Sequence, residues 1–401
     1  MDKNLNICIS GLGYIGLPTA ALLANSGYKV HGVDVVADVV DTINRGEIHI
    51  VEPDLDAFVH AAVNSGHLKA ALTPTEADVY LIAVPTPFHA DRSPDITFVL
   101  SAAKAIAPTL KPGNLVILES TSPVGTTERV KAEIEKAGVD TTGIFFAYCP
   151  ERVLPGHVMK ELIENDRIVG GLDNESTKRV AAFYKTFVKG EVLETNARTA
   201  EMCKLTENAS RDASIAFANE LSMLCNDLDI NVWELIRLAN KHPRVNILRP
   251  GTGVGGHCIA VDPWFIVSQN PDKAKLIRTS REVNTHKTLW VAEKVINTCL
   301  RFRIDKKRRP KVACLGLAFK PDIDDLRESP AIEVVEKLLA EKIECLIVEP
   351  NIESHPHFSL TSFEEAVKTA DIIVVLVAHK PFKNLTFAPE KTVLDFVGLG
   401  Y

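Results

Sequence analysis

The sequence predicts an α/β protein in which two Rossmann-like doubly wound domains are joined by a long-helix central dimerisation region. Three observations predict this class: a glycine-rich turn between the first apolar strand and a helix, an apolar repeat at helical spacing over residues 199–228, and a second alternation of strands and helices from residue 311 onward. The expected domains are residues 1–195, 196–300 and 301–401, and a chain of 401 residues is long enough for all three.

Composition and charge exclude several classes of function. The formal net charge is −7 and the sequence pI is about 6.0, whereas a protein that binds nucleic acid by neutralising phosphates is normally basic. The basic run at residues 306–309 is expected to be a solvated linker, with a polyanion site as the alternative. No stretch approaches the ~18 apolar residues that cross a membrane, and no signal peptide is expected. Eight cysteines without a metal-binding spacing favour reduced thiols, no bound metal and a cytoplasmic location.

The first elements carry a dinucleotide-binding fingerprint. Residues 6–10 form an apolar strand, GLGYIG follows at residues 11–16, and a helix to residue 25 leads into a strand that ends before Asp34. In that context the glycines allow a tight turn and close approach of a pyrophosphate, while the carboxylate accepts hydrogen bonds from a ribose. Asp34 favours NAD over NADP, because a carboxylate repels a 2′-phosphate. The fingerprint residues are Gly11, Gly13, Gly16 and Asp34.

The next strands end in candidate ligand contacts. Strands are expected at residues 79–87, 115–121 and 144–148. Because parallel sheets bind ligands at the carboxyl ends of their strands, Thr86 and Thr121 are candidates for cofactor contacts. The alternative is that these hydroxyls bond the backbone of their own turns. Glu151 and Arg152 follow the third strand, where one can transfer protons and the other can bind phosphate or sugar.

A long helix is expected over residues 199–228. Lys204, Asn208 and Arg211 stand at i, i+4 and i+7, so their side chains share one face that could hold a polar or anionic ligand. The alternative is an exposed polar face without a ligand. Two further helices before residue 300 favour a helical region that forms a subunit interface, which predicts a homodimer.

Cys258 stands in the glycine-dense stretch GTGVGGHCIAVD at residues 251–262. Glycines leave the backbone open to close approach by a ligand, and a thiol presented there is a candidate nucleophile. Asp262, four residues on, could activate a proton or a water. The alternative is that Cys258 is a small buried apolar residue beside a turn.

The C-terminal part repeats the α/β pattern without the glycine fingerprint. It is expected to be a degenerate nucleotide-binding domain that holds a different ligand. Strands are expected at residues 311–317, 344–349, 371–377 and 392–396, and helices at residues 331–341 and 362–369.

Seven motifs together resemble the UDP-glucose/GDP-mannose dehydrogenase family over essentially the whole chain. They are, in the family's order, GLGYIGLP, VPTP, ESTSPVGTT, CPERVLPG, AEMCKLTEN, GVGGHCIAVDP and GLAFKPDIDDLRESP. Within the family, residues 43–56 and 242–265 most resemble bacterial members that act on UDP-N-acetyl-D-mannosamine. The same chemistry on UDP-GlcNAc or UDP-glucose is the nearest alternative.

The resemblance implies two successive NAD-dependent oxidations at C6 of a UDP-sugar, from alcohol to carboxylate, for bacterial surface polysaccharide synthesis. Cys258 would hold the intermediate first as a thiohemiacetal and then as a thioester, which water hydrolyses. Lys204 would act as acid/base or oxyanion stabiliser with Asn208. Asp262 would orient or activate the water. Two further residues would assist, Glu151 and Thr121.

The resemblance also implies which residues bind the ligands. NAD would be held by Tyr14, Ile15, Asp34, Thr86, Thr121 and Arg327. The UDP-sugar would be held by Arg152, Val153, Lys204, Asn208, Arg211, Gly255, Phe319 and Lys320, and by His242 and Arg244 of the neighbouring subunit in a homodimer.

Two positions depart from the family pattern. Val39 stands where relatives often carry an arginine that contacts the adenosine side, and no Lys or Arg follows Lys391, where relatives tend to carry a basic residue that binds UDP. At Val39 we expect weaker NAD binding or a contact supplied elsewhere. After Lys391 we expect weaker UDP binding or an altered C-terminus.

Outside the family reaction, one alternative is a hydroxyacid dehydrogenase that performs a single oxidation and would not need Cys258. The other is a nucleotide-sensing protein without catalysis. The presence of Lys204, Asn208, Cys258 and Asp262 together argues against the second alternative.

Overall fold

The computed structural model describes residues 5–383 and 387–400. The chain forms two compact units, Met1–Thr206 and Glu207–Tyr401. Among the described residues, no helix combines the length and the apolar composition needed to cross a membrane.

An eight-stranded sheet organises the described residues of the first unit. Its strands are β1 (Asn6–Ser10), β2 (Lys29–Val33), β3 (Leu68–Ala71), β4 (Val79–Ile82), β5 (Leu115–Leu118), β6 (Phe145–Tyr148), β7 (Arg167–Gly171) and β8 (Val192–Asn196). They lie in the order β3-β2-β1-β4-β5-β6-β7-β8, and neighbours are parallel except where β7 pairs antiparallel with β6. The strand order reverses between β1 and β4, and ligands of parallel sheets bind at such switch points.

Helices cover both faces of this sheet. They are α1 (Gly16–Asn25), α2 (Ala37–Asn44), α3 (Leu55–Asn64), α4 (Thr97–Ile106), α5 (Thr126–Lys136), α6 (Val158–Glu164) and α7 (Asn174–Tyr184). Ile7 and Ile9 of β1 lie in one buried apolar cluster and Cys8 lies in another, because successive side chains of a strand point to opposite faces. The central strands β4 and β5 are fully buried and read VYLI and LVIL, as expected of parallel strands covered on both faces.

The second unit consists of long helices followed by a smaller sheet. The helices are α8 (Ala197–Asp227), which begins in the first unit, α9 (Val232–Ala239), α10 (Asp262–Gln269) and α11 (Lys275–Lys306). The sheet contains β9 (Lys311–Leu315), β10 (Glu344–Val348), β11 (Ile372–Val375) and β12 (Thr392–Asp395), with helices α12 (Pro330–Ala340) and α13 (Phe363–Thr369). Its strands are parallel in the order β10-β9-β11-β12.

A buried polar network joins α8 to α11 within the second unit. Arg281 donates to the carboxylate of Asp212 at 2.6 Å, and Asn284 donates to the same oxygen at 2.7 Å. Asn284 also accepts a hydrogen bond from Asn219, whose own oxygen accepts the N–H of Gly251 at 2.8 Å. Removing one partner of a buried ion pair costs about 3–5 kcal/mol, so this network fixes the start of the Cys258 loop against both helices.

Two α/β sheets, parallel except at the β6–β7 pair, and a long central helix confirm the predicted fold class. The strand after residue 79 ends at Ile82 rather than at residue 87, because Pro85 and Pro87 cannot donate to a sheet. Residues 306–309 are exposed and connect α11, which ends at Lys306, to β9, in agreement with the predicted solvated linker. Within this segment the Arg308 guanidinium donates to both carboxylate oxygens of Asp371 at 2.6 and 2.7 Å.

Candidate active site

The turn between β1 and α1 is built around glycines. Gly11 has φ +92°, and a Cβ there would lie 2.6 Å from the carbonyl oxygen of Ala83. A Cβ on Gly16 would overlap the carbonyl oxygen of Gly11, whereas no described atom lies within 4 Å of where a Cβ of Gly13 would stand. The turn is therefore compact on its inner side and bare on its outer side, which leaves room for the pyrophosphate of a dinucleotide.

The N-terminus of α1 adjoins this turn. Tyr14 is 47% exposed, and Ile15 occupies the N-cap position. Among the described residues, no side chain caps the first turn of α1. Backbone N–H groups at a helix start carry partial positive charge, so they are suited to bind phosphate.

Asp34 follows β2 and turns its carboxylate toward the glycine turn. It accepts the N–H of Leu12 and the N–H of Val36, each at 3.0 Å, and the half-buried side chain keeps lone pairs for ribose hydroxyls. His49, which the sequence reasoning missed, lies within electrostatic range of Asp34: burial lowers its pKa and the carboxylate opposes that shift. Val39, one of the two departures from the family pattern, packs against the apolar core.

The loops after β4 and β5 are tied together. The Thr86 hydroxyl donates to the carbonyl oxygen of Thr121 at 2.6 Å, and the Ser120 hydroxyl donates to that of Val84 at 2.7 Å. The two threonines that the sequence selected are thus neighbours at one edge of the sheet. The hydroxyl of Thr86 bonds the backbone of the other loop rather than that of its own turn, and both side chains are half-buried.

Glu151, Arg152 and Val153 follow β6 and have different environments. Glu151 is buried, and its carboxylate accepts the Arg167 guanidinium at 2.6 Å and the N–H of Arg152 at 2.6 Å. Arg152 is half-buried and donates to the carbonyl oxygen of Asp166 at 3.3 Å, while Val153 packs against the core. The ion pair holds Glu151 in one orientation, so this carboxylate is better placed to orient its neighbours than to move freely as a base.

A second buried carboxylate lies close to that ion pair. Tyr184 donates its hydroxyl proton to Glu119 at 2.5 Å, and burial raises the pKa of Glu119 to about 7. Burial also raises the pKa of the Cys149 thiol to about 12, which leaves that thiol protonated and unreactive at neutral pH. The sequence reasoning missed Arg167 and Tyr184, whose roles depend on contacts far along the chain.

Two further buried glutamates hold the loops that carry predicted site residues. Glu52 accepts the N–H groups of Gly156 and Val158, both at 2.9 Å, at the start of α6. Glu201 of α8 accepts the N–H of Gly125 at 2.6 Å and both the N–H and the hydroxyl of Thr127 at the start of α5. Each carboxylate caps a helix to which it does not belong.

The helix face predicted to carry Lys204, Asn208 and Arg211 is present on α8, but the three side chains have different surroundings. Lys204 and Asn208 are half-buried and one turn apart, and Arg211 is exposed. Asn208 donates its side-chain N–H to the carboxylate of Asp262 at 2.6 Å. These two residues are far apart in sequence, and both were expected to be catalytic. Asp262 is buried, begins α10 and donates its own N–H to the carbonyl oxygen of Cys258 at 2.8 Å.

The half-buried Cys258 follows a glycine segment that packs within the second unit. A Cβ on Gly255 would lie 2.8 Å from Pro330 and 2.9 Å from Phe319. Gly256 has φ +82°, donates its N–H to the carbonyl oxygen of Arg327 at 3.1 Å, and would bring a Cβ within 2.8 Å of the Phe319 ring. The predicted thiol loop and the predicted substrate loop are therefore in direct contact.

The remaining predicted residues lie at the surface of the second unit. Lys320 is half-buried, with its ammonium 5.6 Å from the centre of the Phe319 ring. Arg327 is exposed and pairs with Asp325 at 2.6 Å. His242 and Arg244 are exposed after α9, where the N–H of Arg244 points to Nδ1 of His242 at 3.3 Å.

Three domain models of one family match the chain. The NAD binding domain of the UDP-glucose/GDP-mannose dehydrogenase family matches residues 5–188, the central domain matches residues 198–286, and the UDP binding domain matches residues 313–398. With the glycine turn and Asp34, these matches define an NAD-dependent dehydrogenase. The chain belongs to the UDP-glucose/GDP-mannose dehydrogenase family and oxidises a UDP-sugar.

Similar proteins cover almost the whole chain. The UDP-N-acetyl-D-mannosamine dehydrogenase of Escherichia coli (strain K12) is 58% identical over 98% of both chains. The NDP-N-acetyl-D-galactosaminuronic acid dehydrogenase of Ralstonia solanacearum is 54% identical over 98% of this chain and 96% of its own. Among solved structures, the UDP-D-ManNAc dehydrogenase of Pyrococcus horikoshii has a TM-score of 0.88 at 36% identity, over 99% of this chain and 96% of its own.

Proposed function

We propose that this protein oxidises C6 of UDP-N-acetyl-D-mannosamine from alcohol to carboxylate through a thioester on Cys258. The observation that carries the proposal is the contact between the Asn208 amide and the Asp262 carboxylate at 2.6 Å, because the backbone N–H of Asp262 also bonds the carbonyl oxygen of Cys258, whose side chain is half-buried. The relatives named for UDP-N-acetyl-D-mannosamine at 55–58% identity support the choice of sugar.

The first unit would hold NAD. Its pyrophosphate fits the bare side of the Gly11 turn, its ribose hydroxyls fit the open lone pairs of Asp34, and Tyr14, Ile15, Thr86 and Thr121 stand at the same edge of the sheet. Bound NAD supplies the acceptor for the hydride that leaves C6 in each oxidation.

Cys258 would act after the alcohol has become an aldehyde. Its thiolate adds to C6, forming a sulfur–carbon bond and an alkoxide that is the thiohemiacetal. Loss of the C6 hydride from this adduct leaves a thioester. Water then attacks the thioester carbonyl, the sulfur–carbon bond breaks, and the carboxylate and the thiolate are released together with two protons.

Several further side chains would support these steps. Asp262 would orient and deprotonate the attacking water, since its carboxylate is buried and fixed by Asn208. Lys204, one turn before Asn208 on α8, would stabilise the negative oxygen that develops at C6. Glu151 and Thr121 would assist from their own loops.

The family resemblance supports further residues as contacts of the sugar nucleotide. They are Arg211, Gly255, Phe319 and Lys320, and also Arg152 and Val153. Arg327 would reach the NAD phosphate, and His242 and Arg244 would reach the site of a neighbouring subunit. Exposed apolar side chains on α8 and α9 and between them support such a dimer, and they include Phe217, Leu224, Leu228 and Leu238. The uronate product suits the synthesis of a bacterial surface polysaccharide.

Replacing Cys258 by serine tests the chemistry. Cys258→Ser is expected to bind UDP normally but to form no uronate. The reason is that an oxygen ester at serine neither forms nor hydrolyses as readily as a thioester at cysteine. Cys345→Ser is the matched control, since Cys345 is another half-buried thiol of the second unit that lies in β10. Uronate production by Cys258→Ser at the wild-type rate would refute the thioester.

A substrate panel tests the sugar. UDP-N-acetyl-D-mannosamine, UDP-GlcNAc, UDP-GalNAc and UDP-glucose are compared by kcat/KM, and the first is expected to exceed the others. A preference for UDP-GalNAc would favour the activity named for the Ralstonia relative. A preference for UDP-GlcNAc or UDP-glucose would refute the proposed sugar while leaving the chemistry in place.

A further inference from the structure

The second unit carries an acidic residue at the place that Asp34 holds in the first. Glu349 follows β10 as Asp34 follows β2, and each strand adjoins the first strand of its unit. Gly11 and Gly316 have φ +92° and +96°, and each donates its N–H to the last residue of the acid's strand at 2.8 Å. The residue after each glycine donates its N–H to the acid, at 3.0 Å in the first unit and 2.7 Å in the second. Glu349 is therefore the counterpart of the ribose-binding carboxylate.

Unlike Asp34, Glu349 is closed to ligands. Its side chain is fully buried, and its oxygens accept hydrogen bonds from the N–H groups of Leu317, Ala318 and Asn351, from the Asn351 side chain and from Nε2 of His379. Burial opposes ionisation, but these hydrogen bonds outweigh it and lower the pKa of Glu349 to about 2. The carboxylate is thus charged, and its oxygens are already hydrogen-bonded to groups of the protein. The second unit therefore lacks the ribose contact of a dinucleotide site.

His379 connects Glu349 to Asp322, which lies at the far end of the loop that follows β9. Its Nδ1 lies 2.9 Å from the backbone nitrogen of Asp322, which can only donate, so Nδ1 is the unprotonated nitrogen and Nε2–H donates to Glu349 at 3.0 Å. The next residue, Lys380, donates its N–H to the carboxylate of Asp322 at 2.8 Å. Asp322 has φ +62°, a conformation that a residue with a side chain keeps only where its surroundings hold it.

Glu349 and His379 thus hold one short loop at both ends. Leu317 and Ala318 are fixed by the carboxylate, and Asp322 is fixed by the imidazole. Phe319 and Lys320 lie between these anchors, and Phe319 in turn contacts Gly256, two residues before the thiol. We infer that Glu349 and His379 are positioning residues that fix Phe319 and Lys320 for the sugar nucleotide; this inference rests on the proposed function, in which that loop contacts the UDP-sugar.

Two substitutions of His379 separate its contact at Nε2 from its contacts at Nδ1, which accepts the N–H of Asp322 and lies 2.9 Å from the Asn351 side-chain nitrogen. In His379→Gln the amide nitrogen replaces Nε2 and keeps the hydrogen bond to Glu349, but nothing replaces Nδ1 as the acceptor for the N–H of Asp322. In His379→Asn the amide oxygen replaces Nδ1 and keeps that acceptor. We expect His379→Gln to raise the KM for the UDP-sugar and the Kd for UDP by about tenfold or more, because small misplacements of a binding loop are costly. The KM for NAD should stay unchanged, and His379→Asn should recover most of the affinity.

Arg308→Ala is the control for stability alone. It removes the ion pair with Asp371 in the same unit, so it should lower the Tm without changing either KM. If His379→Gln behaves like Arg308→Ala, or if the glutamine and asparagine variants are equally impaired, the positioning role is refuted. Lys320→Ala distinguishes a failure of the proposed contact between this loop and the UDP-sugar from a failure of the positioning role. An unchanged Kd for UDP in Lys320→Ala would refute the proposed loop contact itself, whereas a raised Kd there with an unchanged Kd in His379→Gln would refute only the positioning role.

Discussion

Replacing Gly256 by alanine perturbs the contact between the thiol loop and the Phe319 loop. Gly256 has φ +82°, which costs a residue with a side chain about 1–2 kcal/mol. The new Cβ would stand 2.8, 3.0 and 3.1 Å from three atoms of the Phe319 ring. Since carbon atoms pack best at about 3.5–4.0 Å, the ring must retreat by roughly 0.7 Å or more.

Gly66→Ala provides the matched control for the backbone strain. Gly66 has φ +74°, and no described atom lies within 4 Å of where its Cβ would stand. Both variants should therefore lose about 1–2 kcal/mol of unfolding free energy, which lowers the Tm by roughly 2–8 °C. Only Gly256→Ala also moves a ring that is expected to contact the substrate.

Steady-state kinetics on the two purified variants decide between these effects. Gly256→Ala should raise the KM for the UDP-sugar or lower kcat by about tenfold or more, because a displacement approaching 1 Å at a reacting site can cost up to about a hundredfold in rate. Gly66→Ala should keep wild-type kinetics at a temperature below its Tm. Equal kinetics in the two variants would refute the claim that Phe319 and the Cys258 loop form one binding surface.

Three more predictions concern the first unit and the subunit contact. Burial raises the pKa of Glu119 from 4.5 to about 7, so the folded state favours the neutral acid and loses about 3 kcal/mol as the pH rises from about 4.5 to about 7. Glu119→Gln, which keeps an oxygen for Tyr184, should therefore be more stable than wild type in urea at pH 8 but not at pH 4, and a pH-independent difference would contradict this. Asp34→Asn should raise the KM for NAD and spare that for the UDP-sugar; the reverse would remove its ribose role. Arg244→Ala should raise the KM for the UDP-sugar while light scattering still reports the wild-type assembly, and an unchanged KM would remove its reach into a neighbouring site.

Local sequence patterns predicted the first part of the fold correctly. Strand β1, the glycine turn, helix α1 and Asp34 lie within one short stretch of the sequence, and the preferred backbone conformations of those residues determine each element. The long helix α8 was likewise evident from its apolar spacing, and its observed bounds, Ala197–Asp227, lie within two residues of those expected. The basic run at residues 306–309 is exposed as predicted, but charge alone does not reveal that Arg308 has Asp371 as a partner.

The buried carboxylates were missed for a physical reason. Sequence rules for helix caps search the residues just before and inside the same helix, but α5 has glycine at its N-cap and receives its cap from Glu201 on another helix. Glu52 caps α6 from a distant loop in the same way. Likewise, the sequence named Asn208 and Asp262 separately, and only the packing of α8 against α10 shows that they touch.

The central claim is a double oxidation on one UDP-sugar, and counting the reduced cofactor tests it most directly. UDP-N-acetyl-D-mannosamine is supplied in limiting amount with excess NAD, and NADH is measured by absorbance when the reaction is complete. Two NADH for each sugar nucleotide, with the uronate as the product, is the predicted result. One NADH for each sugar nucleotide, with an aldehyde or ketone as the product, would contradict it and leave Cys258 without a catalytic role.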